Sequence, residues 1–354
     1  VMGIFGQMHY IQSMDVGFNK DHVVMFGVPG QAAAHTATIK NKLLTNPDIE
    51  NVTVSAYSLI QWQSSAGISW EGKDPANTFD VGLNSVDYDY ASTFQIEMAE
   101  GRFFSPEFPS DRSDAFVINE ACVRAMDVTE PIGRRITIAP GSSMEAKGTV
   151  VGVIRDHHTE SARTEIRPFL LKCTERGSLM CARINPQNMA ASLDFIRGTI
   201  AEVAPDAGVY FRFYDELSAS LYQDEILTGV VVIYVMIIAI FISCLGLFGL
   251  AAFTARQRAK EVSIRRVLGA SVAGVVSLLS REFVILVLVA GVIASPFAYY
   301  TINRWLEGFA FRMTLGPGMF IFAIIAACVI GLITVIGQVY RAAVSNPAET
   351  LRQE

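Results

Sequence analysis

ILTGVVVIYVMIIAIFISCLGLFGLAAFTA, residues 226–255, is a run of 30 residues without a charge. A helix needs about 20 apolar residues to cross the hydrocarbon core of a bilayer. Two more such runs follow, 21 residues between Glu282 and Arg304 and 28 between Arg312 and Arg341. Three long apolar runs in the last third of the chain predict three membrane-spanning helices, near 227–254, 276–302 and 316–340, within an α-helical transmembrane domain over 226–354. Their position excludes a secretory signal, which is N-terminal.

Composition divides the 354 residues at the same place. The chain is 51% hydrophobic and only 18% charged, against about a quarter for soluble domains. Up to residue 226 there are 18 Lys and Arg against 29 Asp and Glu, a net of −11. The remainder holds 10 basic and 5 acidic residues, a net of +5. An acidic front half excludes a nucleic-acid partner, which rewards clustered basic residues. A basic excess beside apolar spans marks the cytoplasmic face of a membrane.

The loop at 255–271 carries Arg256, Arg258, Lys260, Arg265 and Arg266 against Glu261 alone, whereas the loop at 304–312 carries two Arg and one Glu. The positive-inside rule therefore places the first loop in the cytoplasm, and the second loop with the large domain 13–225 outside, in the periplasm. Arg281 and Glu282 fall inside the second hydrophobic stretch, and are expected at the cytoplasmic interface rather than on an ion pathway. Residues 1–12 are a short apolar stub too short to span. They are expected to be the outer end of a transmembrane helix that begins upstream.

The outer domain contains a repeat. A β-rich run at 22–28 ends at Pro29, a helix over 30–45 can use Ala34, Ile39, Leu43 and Leu44 for one face, Pro47-Asp48 stops it, and a strand follows at 51–56. The order returns at 178–213: a β-rich run, Asn185-Pro186 as helix cap and first position, a helix with Met189, Leu193, Ile196 and Ile200 on one side, Pro205-Asp206, and a strand. Two such βαβ units can pair into a ferredoxin-like sandwich, a porter lobe of 22–58 and 178–213. The insert 59–172 is turn-rich, with β-prone pieces at 67–71, 79–85, 115–119, 135–138 and 147–154 and a helix at 119–126, and is expected to form a separate β-rich lobe. Phe213, Leu217 and Leu221 recur every four residues, so an amphipathic helix is expected to run unbroken into the first full span.

No GxxxxGK[ST] loop, GxSxG, HExxH or EF-hand loop is present, so no catalytic, cofactor or metal residue is assigned and the chain is read as no enzyme. The five Cys have no zinc-ligand spacing; Cys173 and Cys181 flank a turn and are read as half-buried thiols rather than a bridge. His157-His158 would point to opposite faces of a strand and is read as a solvent-exposed pair, not a metal site.

Several stretches share one pattern. Lys260-Glu261-Val262-Ser263-Ile264-Arg265-Arg266-Val267-Leu268-Gly269-Ala270 resembles the cytoplasmic signature of MacB/FtsX-type ABC transporter permeases. Gly101-Arg102-Phe103-Phe104-Ser105, Val117-Ile118-Asn119-Glu120, Pro131-Ile132-Gly133-Arg134 and Val151-Gly152-Val153-Ile154-Arg155-Asp156 resemble its periplasmic elements, and 346–352 its C-terminal tail. The wording is most similar to the C-terminal unit of longer, two-unit permeases. The resemblance implies four spans per unit, a periplasmic domain between the first and second, and work in pairs, here with a second copy or with the N-terminal half of a longer chain. It implies a cytoplasmic ATPase subunit that holds the ATP and magnesium this chain does not bind, with a periplasmic adaptor or hydrolase as a further partner and lipid around the spans. Location in the bacterial inner membrane follows. Three functions fit in decreasing order: an export permease, a signalling permease that regulates a periplasmic hydrolase or sensor kinase, and a membrane-anchored structural ectodomain. An anchor needs one span and no basic loop, so it fits least.

The cytoplasmic loop is where coupling to an ATPase is expected, through Arg256, Arg258, Lys260, Glu261, Ile264, Arg265, Arg266, Val267, Leu268 and Gly269. Ile264, Val267, Leu268 and Val272 recur at helical spacing and are expected to form one apolar stripe. Glu261 can pair with Arg265 four residues on.

Overall fold

The computed structural model describes residues 2–344 except Asp15, Pro29, Gln31, 61–63, Pro75, Glu160 and 206–207, and the side chains of Gln12, Ser13, Ala259, Ser263, Arg266, Val267, Gln338, Val339 and 341–344 are not described. Two repeat markers, Pro29 and Asp206, lie outside the described residues, as do Val1 and the tail at 346–352. Ser13–Gln223 is one compact unit, and Val1–Gln12 with Asp224–Glu354 the other.

In chain order the elements are α1 (Met2–Ser13), β1 (Val23–Gly27), α2 (Thr36–Leu43), β2 (Ile49–Ser55), β3 (Ser65–Trp70), β4 (Asp80–Val86), α3 (Tyr90–Phe94), β5 (Met98–Gly101), α4 (Asp111–Asp114), β6 (Ala115–Asn119), α5 (Glu120–Met126), β7 (Arg135–Ile138), β8 (Ala146–Ile154), β9 (Phe169–Cys173), β10 (Leu179–Ile184), α6 (Met189–Val203), β11 (Phe211–Phe213) and α7 (Tyr214–Ser220). α8 (Gln223–Gln257), α9 (Ala259–Val267), α10 (Val272–Leu306) and α11 (Pro317–Val344) follow.

The two repeat units interleave in one sheet, in the order β11-β1-β10-β2 with every neighbour antiparallel. Both helices pack on one face. Ile39 and Leu43 of α2 and Ile196 and Ile200 of α6 cover Val24, Phe26, Val52, Val54, Met180 and Ala182. Leu44, read from the sequence onto that face, is exposed instead. Asn185 accepts the Gln187 amide (3.0 Å) and Pro186 opens a short 3-10 turn into α6, so cap and first-turn proline act as their chemistry requires. The other face is buried too: Val23, Met25 and Cys181 join Tyr214, Phe94, Val117 and Phe169.

The insert forms a β-ring with a core of its own, joined to this sheet. Six of its strands close a ring, β4-β3-β7-β8-β6-β9 and back to β4, with β5 added along β8. Ile68, Val81, Phe116, Ile118, Ile136, Ile138, Val150 and Leu170 share one core with Cys122 and Met126 of α5. This ring continues the first sheet: Ser55 of β2 pairs with Val86 of β4, Ala56 N donates to Ser85 O (2.8 Å) and Asp87 N to Val54 O (3.0 Å). A strand edge left bare would present unpaired donors and acceptors, and the ring uses the β2 edge instead. The joint is reinforced by Asp87, buried at the end of β4 and bonded by Lys40 of α2 and Thr53 of β2. Burial raises the Asp87 carboxyl above its ordinary range, and the Lys40 charge offsets part of that.

The outer stretches that carry the family resemblance meet in this fold. Asn119 Oδ1 caps α5 through the Cys122 amide (3.0 Å) and accepts Phe169 N (2.8 Å), while its Nδ2 donates to Asp156 Oδ1 (2.9 Å). Glu120 accepts Asp156 N (2.9 Å), and Asp156 accepts Ala121 N (2.8 Å). Gly101, at φ +68°, abuts Gly152: a Cβ on Gly101 would lie 2.4 Å from Val151 O, and one on Gly152 2.1 Å from Arg102 O.

The helix after β11 does not run unbroken into the first span. α7 ends at Ser220, Leu221 N and Tyr222 N fall back three residues onto Ser218 O and Ala219 O, and α8 starts at Gln223. No Gly or Pro signals the break; Tyr222 holds it by accepting the Ala162 amide (2.9 Å) through its hydroxyl. In the second unit, α8 and α10 have 35 residues each and α11 has 28, all longer than the roughly 20 a bilayer requires.

His157 is buried, not solvent-exposed as its sequence context suggests, and lies edge-on to Phe18 and Phe169. Its Nδ1 sits 3.4 Å from Arg155 O and its Nε2 has no partner. Burial holds its pKa down to about 4, against an ordinary 6.5. The folded state thus favours neutral His157; this contribution is complete above pH 6.5 and is lost as pH falls toward 4. By linkage its size is on the order of 3 kcal/mol. Replacing His157 with Leu is expected to flatten the acid limb of the thermal unfolding midpoint between pH 6.5 and 4. An unchanged limb would assign acid sensitivity to other groups.

Candidate functional site

The segment joining α8 to α10 is a short helix with a defined start, stop and underside. Arg258 N donates to Thr254 O (3.0 Å) and Val262 N to Arg258 O (3.0 Å), so helical bonding continues from α8 into α9. α9 ends at Gly269. Its φ of +94° is open to glycine at little cost, and Ala270 N closes back on Arg265 O (3.0 Å), the six-to-one bond of a glycine-terminated helix. Two residues later Ser271 Oγ accepts Gly274 N (3.1 Å) and caps α10.

Val262 fixes the underside. It is buried with Ala251 of α8, Val275, Leu279 and Phe283 of α10 and Val335 of α11. Arg258 Nη1 bonds Glu282 Oε1 at 2.6 Å, which sets Glu282 beside the α8–α9 junction. Arg281, the other charge of that stretch, is exposed.

The outward face combines charge and apolar surface. Glu261 and Arg265 form the i,i+4 pair, Nη2 to Oε1 2.6 Å. Ile264 is 48% exposed and Leu268 80%. Arg256 and Lys260 are also exposed. The stripe of Ile264, Val267, Leu268 and Val272 does not exist as one helical face. Gly269 ends the helix after Leu268, and Val272 opens α10 and packs against the Val262 cluster. The side chains of Arg266 and Val267 lie outside the described residues. Val262 and Ser271 complete the site without having been given a role from sequence, and Glu282, expected only as an interfacial charge, joins them. Ser271 ahead of an apolar run was a readable cap signal; the Glu282 pairing was not, because it joins residues 24 apart.

Among the described residues no group of three His, Cys, Asp or Glu could hold a metal. The five cysteines are free, and burial raises the Cys122 and Cys181 thiols to about 12.

Two family models match the chain: the MacB-like periplasmic core domain over residues 1–169, and the FtsX-like permease C-terminal over 233–347. No curated protein matches it. Among solved structures it is similar to the periplasmic region of MacB from Actinobacillus actinomycetemcomitans, at 12% identity, 58% of this chain, 94% of that one and a TM-score of 0.42. It is similar to the extracellular domain of the noncanonic ABC-type transporter YknZ from Gram-positive bacteria, at 12% identity, 54% and 99% coverage and a TM-score of 0.40. A domain of a putative permease protein from Porphyromonas gingivalis follows at 15% identity, 54% and 89% coverage and a TM-score of 0.37.

The two faces of α9 predict opposite outcomes for the same substitution. Val262→Asp places an unpaired carboxylate in the helix cluster and is expected to cost several kcal/mol, read as loss of membrane-inserted protein. Leu268→Asp is expected to leave the inserted amount within twofold. Equal loss for both would mean that Leu268 is covered.

Proposed function

Because the chain belongs to the MacB/FtsX-type permeases, we propose that it is the membrane subunit of an ABC transporter that couples ATP hydrolysis on a separate cytoplasmic ATPase to movement of its outer domain. On this reading the interleaved repeat is a ferredoxin-like porter lobe and lies in the periplasm with the β-ring beside it. The basic loop faces the cytoplasm, and the protein is a multi-pass component of the inner membrane that drives export. ATP and its magnesium belong to the ATPase.

The observation that carries this is the outward face of α9. An exposed apolar pair, Ile264 and Leu268, sits beside an ion pair on a helix whose underside joins three long helices. A topological marker needs only positive charge; it does not need a capped helix with an apolar knob. The pair itself contributes only about 0.2–0.5 kcal/mol to helix stability, so its loss leaves insertion intact. Glu261→Lys combined with Leu268→Asp is expected to keep membrane abundance while abolishing co-purification of the ATPase and ATP-dependent function. Full partner binding and full activity in the double mutant would reduce the loop to a topology determinant.

A signalling permease, which moves no substrate and regulates a periplasmic hydrolase or kinase, would use the same loop. An adjacent gene for a hydrolase or kinase, rather than an adaptor, distinguishes it. Orientation has its own test: single Cys at Gly72 or Gly308, in a Cys-free background, should label from outside cells with a permeabilised outer membrane, whereas one at Gln257 should not. Labelling confined to Gln257 would invert the topology.

A further inference from the structure

Gln7 is the only residue of α1 whose polar side chain is described as fully buried, at 0% exposure. Its amide bonds two main-chain groups more than 300 positions away: Nε2 donates to Phe311 O (2.8 Å), and Oε1 accepts Met313 N (2.9 Å). These are the carbonyl and amide that flank one residue of an extended segment, the pair a neighbouring strand would bond in a parallel ladder. The amide thus stands in for a strand, and holds the α10–α11 connection through its backbone whatever side chains it carries.

The same face of α1 is cut back to admit this contact. Gly3, Gly6 and Gln7 lie at helical spacing on one side. A Cβ on Gly3 would come 3.0 Å from Ile302 of α10, and one on Gly6 2.8 Å from the Met313 sulfur. On another side, Ile4 meets Gly229 of α8, at 3.4 Å from the position of its absent Cβ. α1 therefore touches α8 at Gly229 and α10 at Ile302.

Elsewhere α8 has little hold. Its buried residues are Glu225 and Gly229 near one end and Ala251 and Ala255 near the other. Between these ends lies an apolar gap of about 180 Å³, lined by Phe241, Cys244, Leu245 and Phe248 of α8 and by Thr334 of α11. A helix held at two ends and only sparsely packed between them, as where Leu247 meets Gly331, can move about whichever end stays fixed. The end at Ala251 belongs to the cluster around Val262; the other is held through α1.

We propose that Gln7 is a latch: its amide locks α1 to the 311–313 segment, α1 in turn sets the spacing between α8 and the α10–α11 pair, and release of the amide frees that end of α8 to swing. The device is conformational and independent of what the protein transports or signals.

The test uses the full chain in lipid nanodiscs. Gln7→Leu keeps the size and removes both bonds. Hydrogen exchange at the Met313 amide is expected to quicken at least tenfold, with the middle of α10 and α11 unchanged. Spin labels at Leu245→Cys and Ile333→Cys, in a Cys-free background, are expected to show a broadened or shifted distance distribution in the same variant. Unchanged exchange at Met313 would overturn the latch. Faster exchange with an unchanged 245–333 distribution would overturn the control of α8. Should Gln7→Leu fail to insert, Gln7→Asn gives the same decision. It keeps a polar amide and withdraws it by one methylene, so it cannot reach Phe311 O and Met313 N together. Exchange at Met313 as slow in Gln7→Asn as in the unaltered chain would refute the amide's role.

Discussion

Inside a bilayer there is no water to satisfy a peptide group, so every backbone N–H and C=O must find a partner within the protein. On the proposed reading as membrane spans, the three uncharged runs meet this constraint as α8, α10 and α11, with charge at their ends. Arg258 and Glu282 meet at the α8–α9 junction. At the far end of α10, Arg304 donates to the Tyr300 hydroxyl (3.2 Å) and Trp305 stacks edge-on to Phe309, the aromatic and basic pairing suited to an interface. The turns between helices inherit the same demand. Gly269 and Ser271 satisfy it within three residues by ending one helix on its own carbonyl and starting the next on a hydroxyl. The connection at 311–313 is bonded from far along the chain, by Gln7.

In the outer unit the same accounting is solved by sheet. Interleaving puts β10 between β1 and β2 and buries both its faces, which strands Arg183 in the interior. A buried charge is tolerated only when its donors are filled, and here they are filled by carbonyls alone. Nε donates to Thr93 O (3.0 Å), Nη1 to Asp21 O (2.8 Å), and Nη2 to Asn19 O and Thr93 O (2.8 Å each). Desolvation lowers the Arg183 pKa, though the guanidinium remains charged. Thr93 lies in α3, within the insert, so Arg183 ties the interleaved strands to the β-ring as Asp87 does from the other direction. The outer stretches that resemble the family, with Asn119, Asp156, Gly101 and Gly152, are likewise occupied with holding this architecture; the loop stretch, by contrast, shows its polar and apolar surface to solvent.

Features carried by local chemistry were readable in sequence. Uncharged length announced the long helices, Asn185-Pro186 announced a helix start, and Glu261 and Arg265 are four apart. The ring was not readable, because its closure rests on parallel pairs such as β4 with β9, whose partners are some 87 residues apart (Gly82 with Phe169). Nor was the burial of His157, which depends on Phe18 and Phe169 converging from distant segments. The break before α8 is another long-range effect, made by Tyr222 reaching Ala162. The apolar stripe through Val272 is broken for a local reason written in the sequence: Gly269 and Ser271, a stop and a cap, outrank spacing. Gln7 was visible only as a polar residue in an apolar stub.

The loop helix is held in a way that suits it to carry force. Fully burying a leucine is worth about 1.5–3 kcal/mol, yet Leu268 stays exposed while the smaller Val262 is buried, so α9 is oriented by its underside rather than by its largest apolar side chain. A partner that covers Leu268 gains that burial without having to order the helix first, since Gly269, Ser271 and the Arg258–Glu282 pair already define it. The underside cluster contains Ala251 from α8, three residues of α10 and Val335 of α11. Packed interiors are close to incompressible, so a displacement imposed on α9 cannot be absorbed at Val262. It passes at once to all three long helices, of which α8 is the least restrained along its length.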